Sequence, residues 1–256
     1  MFKALFFDID GTLVSFKTHQ IPESTIKAIE AAKAKGIRIF ISTGRPIPII
    51  NNLNSIKHLI DGYITTNGAY CIVGNEVISC NPIPKKDVES LTSLSDKYKF
   101  PCIFVGEKEL LVYNNSPIVK QIFSDFLQVH NLAVGDPRKL MEEQEIIQTT
   151  PFITEEQEKD IMPMLPGCIS GRADVTAIGS DKGNGIKHIA RHFGFEIEET
   201  MAFGDGGNDI SMIKVAGVGV AMGNANDSLK EVADYITTDV DNNGIEAAMK
   251  HWKIID

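Results

Sequence analysis

Short apolar segments alternate with amphipathic helical segments in the first quarter of the chain. The apolar segments KALFFD (3–8), IRIFIS (37–42) and GYIT (62–65) have the continuous character of strands that are buried on both faces of a parallel sheet. Helices are predicted between them at 22–35 and 46–57. The resulting β-α-β-α-β order predicts a parallel sheet with helical crossovers, which limits the fold to the α/β class.

The same alternation returns after Lys182. Strands are predicted at 200–205, 218–222 and 234–238, with helices at 183–193, 208–216, 226–233 and 244–252. The two ends of the chain therefore predict one Rossmann-like α/β core, formed by residues 1–82 and 179–256.

The middle of the chain has a different order. A hairpin at 70–80 that turns at Gly74-Asn75 is followed by NPIPKK, a predicted hinge. Helices predicted near 85–98, 117–130 and 154–165 are interleaved with strands of an antiparallel kind. Residues 83–178 are therefore predicted to be an α+β domain inserted into the core.

Charge and composition narrow the class of partner. The 256 residues carry a formal net charge of −9, whereas nucleic-acid-binding proteins usually present a basic face. The four cysteines form no CxxC pair, and no apolar run approaches the length of a membrane span. The apolar start of the chain is broken by Asp8, so no signal peptide is expected. We expect a cytoplasmic protein that contacts neither nucleic acid nor membrane; the sequence predicts no oligomeric state.

Polar residues follow the predicted strands of the core, where ligands bind in open parallel sheets. The four polar clusters are Asp8-Ile9-Asp10-Gly11-Thr12, Thr43-Gly44-Arg45, Lys182-Gly183, and Asp205-Gly206-Gly207-Asn208-Asp209. Two like charges as close as Asp8 and Asp10 are unfavourable unless a cation lies near them or one carries a proton. Carboxylates, one ammonium, a hydroxyl and glycine amides together suit Mg²⁺ and a phosphoryl group.

These clusters resemble, in order, the four motifs of the haloacid dehalogenase (HAD) superfamily. STGRP (42–46), TNGA (66–69) and KGNGI (182–186) are similar to its Cof-type sugar-phosphatase subfamily, and the inserted segment is similar in position and size to the large α+β (C2-type) cap of that subfamily. The resemblance implies a Mg²⁺-dependent phosphatase that acts on a small phosphorylated metabolite, with a sugar phosphate as the expected substrate. A cap of this size implies that bulky substrates are excluded.

The resemblance also implies a role for each motif residue. Asp8 would attack phosphorus and become an aspartyl phosphate, while Asp10 would serve as general acid and then as general base. Mg²⁺ would be bound by Asp8, the backbone carbonyl of Asp10 and Asp205, with Asp209 supporting the metal site. The groups implied to hold the phosphoryl group are Thr43, Gly44, Lys182, Asn208 and the Ile9 amide.

Three residues have a second interpretation. Thr43 also suits a helix cap before Pro46. Arg45 is predicted either to bind substrate or to pair with a carboxylate of the core. Arg172, in CISGRADV, is the one candidate for substrate binding in the inserted domain, against the alternative of a surface arginine.

Two other functions use similar residues. A sugar phosphomutase would have the same core and would transfer the phosphoryl group between two positions of a sugar. A signalling receiver would store an aspartyl phosphate without turnover, but it needs neither a leaving-group acid such as Asp10 nor an inserted cap.

Overall fold

The structure, a computed structural model, describes residues 1–126, 129, 132–171 and 174–256. Its strands are β1 Ala4–Phe7, β2 Arg38–Ser42, β3 Gly62–Thr65, β4 Tyr70–Val73, β5 Glu76–Cys80, β6 Cys102–Gly106, β7 Leu110–Tyr113, β8 Ala133–Val134, β9 Ile146–Pro151, β10 Cys168–Gly171, β11 Asp174–Ala177, β12 Thr200–Gly204, β13 Val218–Ala221 and β14 Tyr235–Ile236. Its α-helices are α1 Glu23–Ala34, α2 Lys85–Tyr98, α3 Pro117–Lys120, α4 Pro137–Glu143, α5 Glu155–Ile161, α6 Lys182–Phe193, α7 Ile210–Val215, α8 Asp227–Lys230 and α9 Gly244–His251. A π-helical turn, Gln121–Phe126, continues α3.

The chain forms two compact units. The first comprises Met1–Arg45, Ile50–Ser79 and Asp181–Asp256, and the second comprises Pro46–Ile49 and Cys80–Ser180. The predicted fold class is confirmed: an α/β Rossmann-like core carries an inserted α+β domain. The domain limits predicted from the sequence, 1–82 with 179–256 against 83–178, stay a prediction.

The sheet of the first unit has the strand order β14-β13-β12-β1-β2-β3-β4-β5. The strands from β14 to β3 are parallel, and β4 joins β3 in the antiparallel direction. From β1 the chain proceeds outward to β2 and β3 on one side, and β12 leads to β13 and β14 on the other side. The junction of β1 and β12 is therefore the topological switch point, at which α/β sheets form a crevice for ligands.

Strand β1 lies at the centre of this sheet, and its residues are completely buried on both faces. Leu5 and Phe7 pack into the apolar core on one face, whereas Ala4 and Phe6 pack into the core on the other face. The Phe7 ring stacks on Phe203 of β12 with 4.7 Å between ring centroids. Burial on both faces explains why this strand is a continuous apolar run rather than an alternating one.

The sheet of the second unit has the order β10-β11-β9-β6-β7-β8, and its pairs are antiparallel except for β7 with β8. Val88 and Leu91 of α2 share an apolar core with Cys102 and Phe104 of β6. Alternate residues of β6 therefore face the helix, as the period of two along a strand requires.

Two predictions about elements need correction. The helix predicted at 46–57 is wrong, because this stretch contains only the 3₁₀ turns Ile47–Ile49 and Lys57–Leu59. Its β-branched residues, its adjacent asparagines and Pro48, which has no N–H, disfavour a regular helix. Strand β8 and helix α4 were not predicted from the sequence, although Asp136 and Pro137 are helix start signals. In the structure the Asp136 carboxylate accepts a hydrogen bond from the Arg138 backbone amide.

The remaining predicted helices of the inserted segment agree with the structure to different extents. The helix predicted at 85–98 coincides with α2, and that at 154–165 corresponds to α5 followed by a 3₁₀ turn at Met162–Met164. The helix predicted at 117–130 begins as α3, but its last residues lie partly outside the described residues. In the part of the chain that the structure describes, no helix is both long enough and apolar enough to cross a membrane.

Candidate active site

Asp8 directly follows β1 at the switch point of the core sheet. Its backbone amide donates a hydrogen bond to the Phe203 carbonyl of the neighbouring strand, at 3.0 Å. Directly after Asp10, the chain turns at Gly11, which has a φ of 88° in the left-handed region. A Cβ at this position would lie 2.4 Å from Asp205 Oδ2, so glycine is required both by the turn and by the approach of Asp205.

Lys182 is the first residue of α6 and reaches Asp8 from the helix start. Asp181 caps the helix by accepting a hydrogen bond from the Asn184 amide at 2.8 Å. Lys182 Nζ lies 2.6 Å from Asp8 Oδ1 and 2.6 Å from Asp209 Oδ1, and its side chain has no exposed surface. The ammonium is thus a buried bridge between two carboxylates that come from distant parts of the chain.

Asp209 is completely buried, and both of its oxygens are engaged. Oδ1 accepts from Lys182, while Oδ2 accepts from the backbone amides of Asp205 (3.0 Å) and Gly206 (2.9 Å). Asp205 presents its own carboxylate toward the β1 loop, where Thr12 Oγ1 donates to Asp205 Oδ1 at 3.1 Å. Asp209 therefore holds both Lys182 and the loop that carries Asp205.

Burial and charge shift the pKa values of this cluster. Burial, together with the charges of Asp209 and Asp205, raises the pKa of the Asp8 carboxyl well above its usual value, although Lys182 opposes this. Burial and the Asp209 charge raise the pKa of Asp205 to about 6. Burial lowers the pKa of the Lys182 ammonium, but the charges of Asp209 and Asp8 outweigh burial and raise it.

The donor set of this cluster fits a divalent cation. Carboxylate oxygens of Asp8, Asp205 and Asp209 lie within 4.8 Å of one another. When the three carboxylates are ionised, the one ammonium of Lys182 leaves two negative charges uncompensated. All the donors are hard oxygen atoms, which Mg²⁺ prefers over nitrogen or sulfur donors. The residues can therefore hold a metal ion, and a 2+ charge would balance the cluster.

The loop after β2 places Thr43, Gly44 and Arg45 at the same edge of the sheet. Thr43 is buried, its amide donates to the Ile64 carbonyl at 2.8 Å, and its Oγ1 accepts from the Arg45 amide at 3.1 Å. The hydroxyl thus stabilises the turn and retains its proton for donation. Binding of a phosphoryl group by Thr43, Gly44, Asn208 and the Ile9 amide stays a prediction.

Arg45 forms a two-point ion pair with Asp10. Its Nε lies 2.7 Å from Asp10 Oδ2, and its Nη2 lies 2.8 Å from Asp10 Oδ1. The structure therefore contains the pairing with a core carboxylate that the sequence left as one of two possibilities, while binding of substrate by Arg45 stays a prediction. A substrate that engages the Asp10 carboxylate must compete with this guanidinium. Arg172 lies outside the described residues.

Comparison with known proteins identifies the family. Residues 5–249 match the family of haloacid dehalogenase-like hydrolases. The chain belongs to this family. Its relative YkrA of Bacillus subtilis (strain 168) is 35% identical over 266 residues, which cover 99% of this chain and 98% of YkrA. The 5-amino-6-(5-phospho-D-ribitylamino)uracil phosphatase YcsE of the same organism is 30% identical over 98% of this chain and 95% of YcsE.

Solved structures of the same family are similar to this chain over nearly its whole length. The HAD subclass IIB sugar phosphatase BT4131 is 55% identical, with a TM-score of 0.92 over 99% of this chain and 100% of BT4131. The HAD phosphatase BT1666 of Bacteroides thetaiotaomicron is 37% identical, with a TM-score of 0.89 over 100% of this chain and 96% of BT1666. Together with the family match, these relatives show that this HAD-like hydrolase is a phosphoric monoester hydrolase, a Cof-type member of the superfamily.

Two further residues, which the sequence did not single out, support the loops of this site. Asn224 Nδ2 donates to the Gly11 carbonyl at 2.8 Å, and Asn224 Oδ1 accepts from the Val240 backbone amide at 2.9 Å. This side chain therefore connects the loop after β1 to the segment that contains Val240. Asn67 contacts both Gly44 and Asn208. The motif TNGA (66–69) was a signal for Asn67, but its function depends on contacts that no local pattern reports.

Proposed function

We propose that this enzyme is a Mg²⁺-dependent phosphatase that hydrolyses a small phosphorylated metabolite, a sugar phosphate, through an aspartyl phosphate on Asp8. The observation that carries the proposal is the buried cluster at the switch point, in which Asp8 is paired with Lys182 and lies beside the carboxylates of Asp205 and Asp209. The description of BT4131 as a sugar phosphatase supports the substrate class.

In the first step, an oxygen of Asp8 attacks phosphorus, and the bond from phosphorus to the leaving alkoxide oxygen breaks. Lys182 holds Asp8 Oδ1 at 2.6 Å, while Oδ2 accepts no hydrogen bond from any described residue and is left for the attack. Asp10 is the proposed general acid of this step and gives a proton to the alkoxide, so the metabolite leaves as a neutral alcohol. The phosphoryl group remains on Asp8.

In the second step, water attacks the phosphorus atom and the bond between phosphorus and Asp8 breaks. Asp10 now takes the proton from water, so each turnover restores both carboxyl groups to their starting states. Inorganic phosphate is the second product.

Asp8 and Asp205 are the proposed side-chain ligands of Mg²⁺, together with the backbone carbonyl of Asp10. The bound cation would supply positive charge at the oxygens of the phosphoryl group, where negative charge accumulates during transfer. Asp209 is the proposed support, because both of its oxygens already bind Lys182 and the amides of the 205–206 loop.

A screen of phosphorylated metabolites tests this function. We expect the purified protein to release inorganic phosphate from sugar phosphates with Mg²⁺ present and not after removal of the metal with EDTA. Phosphoproteins and nucleic acids serve as bulky comparison substrates, and they should not be hydrolysed. Conversion of a sugar phosphate into its isomer without phosphate release would contradict the proposal and indicate a mutase, and a phosphorylated protein that persists without turnover would indicate a receiver.

The metal site has a test that does not depend on activity. Saturating Mg²⁺ should stabilise the wild-type protein by mass action, by about 2.7 kcal/mol at a concentration of 100 Kd. In a protein of this size that corresponds to a rise in Tm of roughly 5–10 °C. Asp205→Asn removes one charged ligand and should abolish most of this rise.

The matched control for Asp205→Asn is Asp234→Asn. Asp234 Oδ2 accepts a hydrogen bond from the Gly219 amide at 2.7 Å and does not belong to the carboxylate cluster. This control should retain the full rise in Tm with Mg²⁺. An Asp205→Asn protein with the wild-type response to Mg²⁺ would contradict the assignment of Asp205 as a ligand.

A further inference from the structure

The loop that follows β3 has an unusual backbone. Thr66, Asn67 and Gly68 all lie in the left-handed region, with φ values of 50°, 53° and 93°. This conformation is unfavourable for a β-branched residue such as Thr66, whose buried Oγ1 also has no hydrogen-bond partner among the described residues. Surrounding structure must therefore hold the loop in place.

Two contacts hold this loop beside the active site. The backbone N–H of Asn67 donates to the Thr43 carbonyl at 3.1 Å, and this hydrogen bond attaches the loop to the turn after β2. A Cβ on Gly68 would lie 2.0 Å from the carbonyl oxygen of Asp181, so the loop packs directly on the residue that precedes Lys182. The strained loop thus lies between two segments of the proposed phosphoryl site.

The side chain of Asn67 links the turn after β2 to a third segment, the loop that carries Asn208. A Cβ on Gly44 would lie 3.1 Å from Asn67 Oδ1, so the carboxamide lies against the Gly44 backbone. The same Oδ1 accepts a hydrogen bond from Asn208 Nδ2 at 3.1 Å. Asn208 Oδ1 faces its own loop, because a Cβ on Gly206 would lie 2.8 Å from it.

We propose that Asn67 is a positioning residue of the phosphoryl site, which acts by orienting the amide of Asn208. Its Oδ1 accepts one N–H of the Asn208 amide and leaves the other N–H to donate to the bound phosphoryl group. Without this acceptor, the side-chain amide of Asn208 can rotate and present its oxygen to the phosphoryl group, whose own oxygens it repels. The inference rests on the proposed function, which assigns Asn208 to the phosphoryl group.

A double-mutant cycle with inorganic phosphate as the probe tests this inference. Asn67→Gly removes the carboxamide but keeps a residue that adopts the left-handed backbone without strain. With Mg²⁺ present, we expect Asn67→Gly and Asn208→Ala each to raise the inhibition constant of phosphate by about tenfold, the effect of one hydrogen bond to a charged group. Because Asn67 acts through Asn208, the double variant should be no weaker than Asn208→Ala.

The control variant is Asn243→Gly, which replaces another left-handed asparagine (φ 60°), at the start of α9. Its inhibition constant should equal that of the wild type. The Tm of each variant is measured as well, so that an effect of losing the side-chain amide can be distinguished from an effect of unfolding. A wild-type inhibition constant in Asn67→Gly, or effects that multiply to about a hundredfold in the double variant, would overturn the inference.

Failure of the proposed function would be visible separately. In that case the wild-type enzyme itself would release no phosphate from any phosphorylated metabolite. Calorimetric titration of the wild type and the three variants with inorganic phosphate would then measure the same cycle without turnover. Coupling between Asn67 and Asn208 in that titration would support the positioning role, and additivity would contradict it.

Discussion

Asp8→Asn is expected to lower kcat by at least about ten-thousand-fold, because an amide oxygen is a poor nucleophile toward phosphorus and the aspartyl phosphate cannot form. The substitution keeps the size of the side chain and an acceptor for Lys182, which lies 2.6 Å from Asp8 Oδ1. Phosphate release with the preferred sugar phosphate from the screen measures kcat, and mass spectrometry of the wild type quenched in acid detects the phosphorylated protein.

The control for this variant is again Asp234→Asn, which should retain the wild-type kcat because its carboxylate accepts from the Gly219 amide away from the cluster. Substrate hydrolysis that persists in Asp8→Asn at more than a thousandth of the wild-type rate would refute Asp8 as the nucleophile, since removal of a nucleophile typically has an effect of about ten-thousand-fold or more. Retention of the phosphorylated species in Asp8→Asn would place the acceptor on another residue.

Lys182→Met is expected to destabilise the fold by about 3–5 kcal/mol, because it leaves the buried carboxylates of Asp8 and Asp209 without their cation. For a protein of this size, the loss corresponds to a decrease in Tm of roughly 10 °C. Thermal and urea unfolding at pH 8 measure this change. Activity should be lost as well, because in the proposed mechanism Lys182 positions the attacking carboxylate.

The destabilisation of Lys182→Met should depend on pH. Burial raises the pKa of Asp8 in the folded protein and Lys182 opposes this shift, so removing Lys182 raises that pKa further. An acid whose pKa is higher in the folded than in the unfolded state loses stability as the pH rises between the two values. The deficit of the variant should therefore be larger at pH 8 than at pH 4.

Lys250→Met is the matched control for the lysine substitution. Lys250 pairs with Glu246 one helical turn away, and its side chain is half exposed. Exposed pairs of this kind contribute about 0.3–0.5 kcal/mol, so the control should change Tm by no more than a degree or two. A Lys182→Met protein as stable as this control at pH 8 would show that the buried ion pairs do not hold the core together.

The location of the candidate site was largely predictable because its chemistry is concentrated in short stretches of sequence. Asp8 and Asp10 are two residues apart, and Asp205, Asn208 and Asp209 lie in one loop. The rule that ligands bind at the carboxyl ends of parallel strands then brings these stretches together without any knowledge of contacts. Resemblance to a family with ordered motifs supplied the proposed roles, and the geometry gives Asp8, Lys182, Asp205 and Asp209 a common location.

Helix 46–57 was wrongly predicted because its apolar residues have a helical spacing while their propensities oppose a helix. Arg45 shows a different limit, since a guanidinium beside a phosphate site suits either a substrate or a carboxylate, and only the fold places it 2.7 Å from Asp10. For Asn67, the sequence shows a motif but does not reveal the hydrogen-bond partner, because Asn208 is far away along the chain.

The sequence by itself determined the α/β alternation, the insertion and the candidates for the reacting groups, because hydrophobic periodicity and motif chemistry are local properties. The tertiary structure decided which charges neutralise one another. It bridges Asp8 and Asp209 through a fully buried Lys182, engages Asp10 with Arg45, and presses Asn67 against Gly44. These pairings depend on packing between distant segments, since burial makes each unpaired charge costly and leaves few arrangements in which every charge has a partner.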